Sequence, residues 1–141
     1  MFKKILLAVD DSEFAKNAAA KILELSKLND AEVDIVNVVV PIGGVAHYER
    51  IFTMVPQANE VYDDIGKAVL EDMKEIFEGY EKADYILLHG DPATEIIEAS
   101  KNGYDLLVLG AHGSSHRGIF SMGSVVSKVI YNTDISVMVV K

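Results

Sequence analysis

Residues 110–124 gather the densest set of groups in this chain that could do chemistry: Gly110, His112, Gly113, Ser114, Ser115, His116, Arg117, Gly118, Ser121, Gly123 and Ser124. Glycine tolerates positive φ and lets a ligand approach the backbone, so such a stretch can aim several N–H groups at one point. Residues 106–109 before it are unbroken Leu and Val, and residues 125–130 after it have helical spacing. The order reads strand, glycine-rich loop, helix. A helix N-terminus adds unpaired donors and a partial positive charge, and the ligand that suits both features is a phosphate.

Charge patterning agrees. The 141-residue chain has a formal net charge of −9, yet no carboxylate lies between Asp105 and Asp134, where average usage would put about four. His112, His116, Arg117 and Lys128 fall inside that gap. Glycine and serine also build ordinary surface loops; the preceding buried strand and the missing acids favour an anion site.

The elements that would position this loop emerge from the rest of the chain. Half of the residues are apolar, enough for one domain around one core. Cysteine is absent, which excludes disulfides, thiolate catalysis and cysteine-ligated metals. The apolar part of the opening residues is five long before Asp10 and Asp11, too short for a secretion signal, and no run reaches membrane-spanning length. The expectation is a soluble, cytoplasmic protein. An acidic chain without a basic stripe argues against nucleic acid or an anionic membrane as partner.

Residues 4–9 are apolar on both faces of a strand, the habit of parallel sheets. Ser12 is a candidate N-cap for a helix in which Phe14, Ala18, Ile22 and Leu25 recur. Residues 33–40 form a valine-rich strand stopped by Pro41. Periodicity is lost over residues 41–56, which read as a long loop covering a ligand, contacting a partner or leading into a helix. Val61, Ile65, Val69, Met73, Ile76 and Tyr80 then define a long amphipathic helix, whose acidic face reads as solvated and without a histidine partner for a metal. Residues 85–88 are the third strand, Asp91 and Pro92 start the next helix, and Gly103 ends it. Strand four, the glycine loop, a short helix over 123–132 and a last strand over 135–140 complete the chain. Alternation of this kind predicts a single-domain α/β fold: an open five-stranded parallel sheet with helices on both faces, Rossmann-like.

Ligands of such sheets sit beyond the carboxyl ends of the strands where strand order reverses. Asp10 after strand one, residues 38–40 ending strand two and the Gly110 loop share one crevice if strands one and four are neighbours. Dinucleotide folds and Walker-type phosphate loops carry their glycines after the first strand. Here Asp10, Asp11 and Ser12 stand there, and the glycines follow strand four.

Gly110-x2-Gly113-x9-Gly123-Ser124 resembles the nucleotide-phosphate motif of the ATP-binding branch of the universal stress protein family. So do the opening residues 4–12, the turn with His89, Gly90 and Pro92, and the valine-rich close; the resemblance spans the chain apart from residues 41–59. It implies that Asp10 lies near ribose and adenine, that Ala8 lines the base beside Val9, and that the backbone of Val38 meets the adenine edge. Gly110, His112 and Gly113, following Leu109, would turn around the ribose and α-phosphate. Gly123, Ser124 and Val125 would hold the distal phosphates, with Arg117 as an added cation. A Mg2+ or Mn2+ ion would be bound through those phosphates rather than by protein ligands. The resemblance also implies a homodimer paired through the last strand, although Ser136 stands where many members have a proline.

A nucleotide-dependent regulatory module, sensor or switch, follows from this pattern. No water-activating base is evident beside the phosphates, so no catalytic residue is assigned. A slow ATP hydrolase is the alternative. A phosphoacceptor receiver domain would need an acceptor at Asp91, which reads better as a helix cap, and a member of the family that binds no nucleotide would not need the complete motif. His47, His89 and His116 read as surface or packing residues.

Overall fold

A computed structural model describes residues 1–41, 58–113 and 123–141. The elements are β1 (Lys4–Ala8), α1 (Glu13–Asn29), β2 (Glu32–Val39), α2 (Ala58–Ile76), β3 (Ala83–His89), α3 (Pro92–Ser100), β4 (Leu106–Gly110), α4 (Ser124–Asn132) and β5 (Ser136–Val140). The five strands form one sheet in the order β3-β2-β1-β4-β5, every pair parallel. β1 is therefore central, and the order reverses between β1 and β4.

Side chains alternate cleanly across this sheet. Ile5, Leu7, Val33, Ile35, Leu106 and Val108 pack with Ala18 and Ile22 of α1 and Met73 of α2. Leu6, Ala8, Val36, Leu107 and Leu109 pack on the opposite face with Ala93 and Ile96 of α3 and Val126 and Val129 of α4. Two-sided burial explains why the inner strands read as continuous apolar runs rather than alternating ones. No helix among the described residues is long and apolar enough to cross a membrane.

Local signals account for most boundaries. Ser12 Oγ accepts the Ala15 N–H and caps α1; Asp91 caps α3 through the Thr94 N–H, with a proline in the first turn. Several boundaries differ from the sequence expectation. α2 stops at Ile76, not at Tyr80, because the chain turns at Gly79 with φ of 80°. Tyr80 instead turns inward, and its hydroxyl donates to the carbonyls of Ser26 and Ala31. β3 is longer than residues 85–88, and β2 ends at Val39, leaving Val40 exposed. The loop expected over residues 41–56 lies, from residue 42 onward, outside the described residues.

Candidate functional site

At the carboxyl ends of β1 and β4 the chain leaves the sheet toward opposite faces, α1 packing on one and α4 on the other, the reversal at which open α/β sheets form a ligand crevice. Val9, one residue past β1, still bonds to β2, its N–H donating to Val36 O at 2.9 Å. Asp10 then turns the chain: its Oδ1 accepts the Ser12 N–H at 2.9 Å. On the other wall, the Ala111 N–H donates to Val140 O at 2.7 Å, carrying the sheet one residue past Gly110.

The two walls touch. A Cβ built on Gly113 would lie 3.1 Å from Asp10 Oδ2, so that carboxylate rests against the glycine loop. Ser12 Oγ lies 3.5 Å from the His112 carbonyl, which couples the start of α1 to the same loop. The His112 ring meets Phe14 edge to face, centroids 5.0 Å apart, so ring and main chain of His112 both serve the structure.

Gly110 has a packing reason to be glycine. A Cβ there would lie 2.7 Å from Phe14 Cβ, 2.9 Å from the Phe14 carbonyl carbon and 3.0 Å from Ala15 N. The first turn of α1 can rest on the end of β4 only because that methyl is missing.

The two ends of the glycine motif close on each other. The Gly123 N–H donates to Ala111 O at 3.2 Å, and among the described residues a Cβ on Gly123 would find nothing nearer than 3.7 Å, its neighbours being Ala111, His112 and Gly113. Gly123 is the N-cap of α4 with no side-chain cap bond, whereas Ser12 and Asp91 cap α1 and α3. The first turn of α4 contains no acid. Its leading N–H groups and positive dipole end are held beside Gly113, and among the described residues no side-chain oxygen caps them. Val125 packs on the same side of the sheet as Ala8, Leu109 and Val38, giving that side of the crevice an apolar floor.

Of the sequence-designated residues, Ala8, Val9, Asp10, Leu109, Gly110, His112, Gly113, Gly123, Ser124 and Val125 gather at the β1/β4 reversal, with Val38 one strand away on β2. Arg117, together with His47 and His116, lies outside the described residues. Asn37 was missed. It is buried, and its Nδ2 donates to the Val9 carbonyl at 2.9 Å just before the Asp10 turn. A lone asparagine in a valine run is the signal that could have found it, since a buried amide must be satisfied.

The acidic face of α2 requires a correction. Asp63 does have a histidine partner: His89 Nε2 lies 2.7 Å from Asp63 Oδ1, tying the first turns of α2 to the end of β3. The sequence distance between the two hid this pair. Still, no group of three or more metal-ligating side chains occurs among the described residues. Asp91 is a cap, as expected: the Thr94 N–H and then the Thr94 hydroxyl hold its carboxyl below the ordinary carboxylate value.

This architecture is shared with known proteins. The model of the universal stress protein family matches residues 1–141. The chain is 32% identical to universal stress protein MJ0531 of Methanocaldococcus jannaschii, over all of this chain and 83% of that one. It is 31% identical to universal stress protein YxiE of Bacillus subtilis over the full length of both. Among solved structures, UspA from Lactobacillus plantarum superposes with a TM-score of 0.85 at 22% identity, covering 99% of this chain and 98% of that one. A universal stress protein in complex with cAMP gives 0.75 at 20% identity, covering 99% and 97%. The Archaeoglobus fulgidus protein in complex with dAMP gives 0.72 at 19%, covering 100% and 98%. Fold and whole-length matches agree, and the chain belongs to the universal stress protein family.

Proposed function

We propose that this protein binds ATP in the β1/β4 crevice and acts as a non-enzymatic, nucleotide-dependent sensor or switch. The observation that carries the reading is the start of α4: an acid-free helix N-terminus without a side-chain cap, closed against Gly113 by the Gly123–Ala111 bond. Charge-assisted hydrogen bonds from such N–H groups contribute about 1.5–3 kcal/mol each, so a handful suffices for micromolar affinity. The cAMP and dAMP complexes of related folds support an adenine nucleotide as the ligand class.

In this reading the phosphates lie at Ser124 and Val125, with Arg117 available to them. Asp10, whose charge would repel phosphate, lies at the ribose, and Ala8 and Val38 flank the base. A divalent ion would be held by the phosphates. The second copy pairs through the outer edge of β5, an apolar strand that among the described residues is bonded to the sheet on one side only. The setting is the cytoplasm.

Titration calorimetry with Mg2+ and ATP tests the reading, expected to give micromolar binding at one site per chain. A flat titration at millimolar ATP overturns it. Turnover of about 1 s⁻¹ or faster would overturn the non-enzymatic half alone.

A further inference from the structure

We infer that Asn37 is a positioning residue: by taking the Val9 carbonyl, one residue past β1, for its own amide, it frees the main chain of Val38 for the base edge of the ligand. The inference rests on the nucleotide reading above and adds a residue to it.

In a parallel ladder both main-chain groups of a residue point to one neighbouring strand, and successive residues alternate. Val36 O accepts from Val9, and Val39 O accepts from Gly90 N–H at 3.0 Å. Val36 and Val38 therefore face β1, and Asn37 and Val39 face β3. The next rung would join the Val38 N–H to the Val9 carbonyl. Among the described residues that rung is not made. Asn37 Nδ2 donates to Val9 O instead.

The amide has a prepared seat. Asn37 is 8% exposed and reaches its place under α2 because Gly66 carries no side chain. A Cβ on Gly66 would lie 2.9 Å from Asn37 Oδ1 and 2.6 Å from both Leu87 Cδ1 and Val39 Cγ2. Glycine inside a helix costs about 1 kcal/mol relative to alanine, so close packing here has outweighed helix propensity.

With Val9 O satisfied, the Val38 N–H and C=O face the end of β1 without a main-chain partner among the described residues. A donor beside an acceptor complements the acceptor and amino group on the edge of adenine. It opposes the guanine edge, whose order is reversed. Asn37 thus makes an unpaired stretch of sheet edge without an exposed edge strand.

Amide hydrogen exchange on the unliganded protein tests this directly. The Val38 amide should exchange about 100-fold faster than that of Val36, and adenosine should slow it. Asn37→Leu should protect Val38 without ligand, weaken adenosine about tenfold and leave tripolyphosphate binding within twofold. A Val38 amide as protected as Val36 in the unliganded wild type overturns the inference, and so does an Asn37→Leu loss shared equally by adenosine and tripolyphosphate. Should the wild type bind neither probe, the nucleotide reading falls. Exchange at Val38 then still decides whether Asn37 has opened the ladder, and the wild-type measurement needs no variant.

Discussion

Gly110→Ala and Gly123→Ala should separate the packing duty of the glycine motif from its binding duty. At Gly110 an added methyl would lie 2.7–3.0 Å from three atoms of Phe14 and Ala15, two of them main chain. Main chain cannot rotate away, so α1 or β4 must move, and the cost falls at the upper end for overpacking, about 3 kcal/mol. For a 141-residue chain the unfolding entropy is about 0.3 kcal/mol/K, so the melting temperature should fall by about 10 °C. At Gly123 the backbone has φ of −58° and ψ of 151°, open to any residue, and the nearest atom to a new methyl is 3.7 Å away. Exchanging one weak cap for another costs at most about 1 kcal/mol, or about 3 °C. That methyl would nevertheless stand beside Gly113 in the space assigned to phosphate, and ATP affinity should fall at least tenfold. Scanning calorimetry without nucleotide, followed by titration with Mg2+ and ATP, reads both effects. A Gly110→Ala protein melting within about 2 °C of wild type would refute the clash argument. Equal melting shifts in the two variants would refute the separation of duties.

Other outcomes follow from single contacts. Tyr104→Phe removes the phenol that donates to Asp34 Oδ2 at 2.5 Å and leaves that mostly buried carboxylate with Lys4 Nζ at 3.9 Å; thermal melts should show a loss of about 2 kcal/mol. Burial, then the Asp34 hydrogen bond and charge, raise the Tyr104 phenol above its ordinary value of 10.0, so the unfolded chain releases that proton first. Wild-type stability should therefore drop as pH climbs past about 10, and Tyr104→Phe should drop less steeply. Asp91→Ala should lower the melting temperature at neutral pH by about 3 °C. Because the Asp91 carboxyl is held below 3.8 in the fold, its contribution is present above that value and lost on acidification through its folded value, so the gap between variant and wild-type melts should narrow as the pH falls below 3.8. In β5, Val140 O bonds toward β4, so Val139 points its N–H outward. Val139→Pro removes only that donor, and sedimentation should find a monomer that still binds ATP.

The legible part of this fold was whatever repeats locally. Apolar runs marked all five strands, and Ser12 and Asp91 announced their helices because capping is a matter of three residues. Strand order was not legible: adjacency of β1 and β4 had to be supposed, since pairing of Ile5 with Leu106 spans most of the chain and leaves no local trace. The same distance concealed Asp63–His89. Gly79 was passed over because Tyr80 kept the helical period while its ring had turned toward Ser26 and Ala31. Asn37 escaped for a different reason, its meaning depending on Gly66 in another element. The candidate site was legible to the extent that its glycines fall within one short stretch, residues 110–123.

Those glycines answer to unlike demands, and this bears on what a spaced motif means. Gly110 is excluded from bearing a side chain by α1, Gly113 is crowded by the Asp10 carboxylate at 3.1 Å, and Gly123 is hindered by nothing among the described residues. If all three were ligand contacts, the motif could decay wherever binding was dispensable. Gly110 would resist such decay, because removing the nucleotide does not move Phe14. Gly123 is the position whose identity the fold leaves open, and it therefore carries the strongest information about a ligand. A relative that keeps Gly110 but replaces Gly123 with a large side chain should fold in the same way and bind no triphosphate, a pairing that crystallography and calorimetry on one such protein can check.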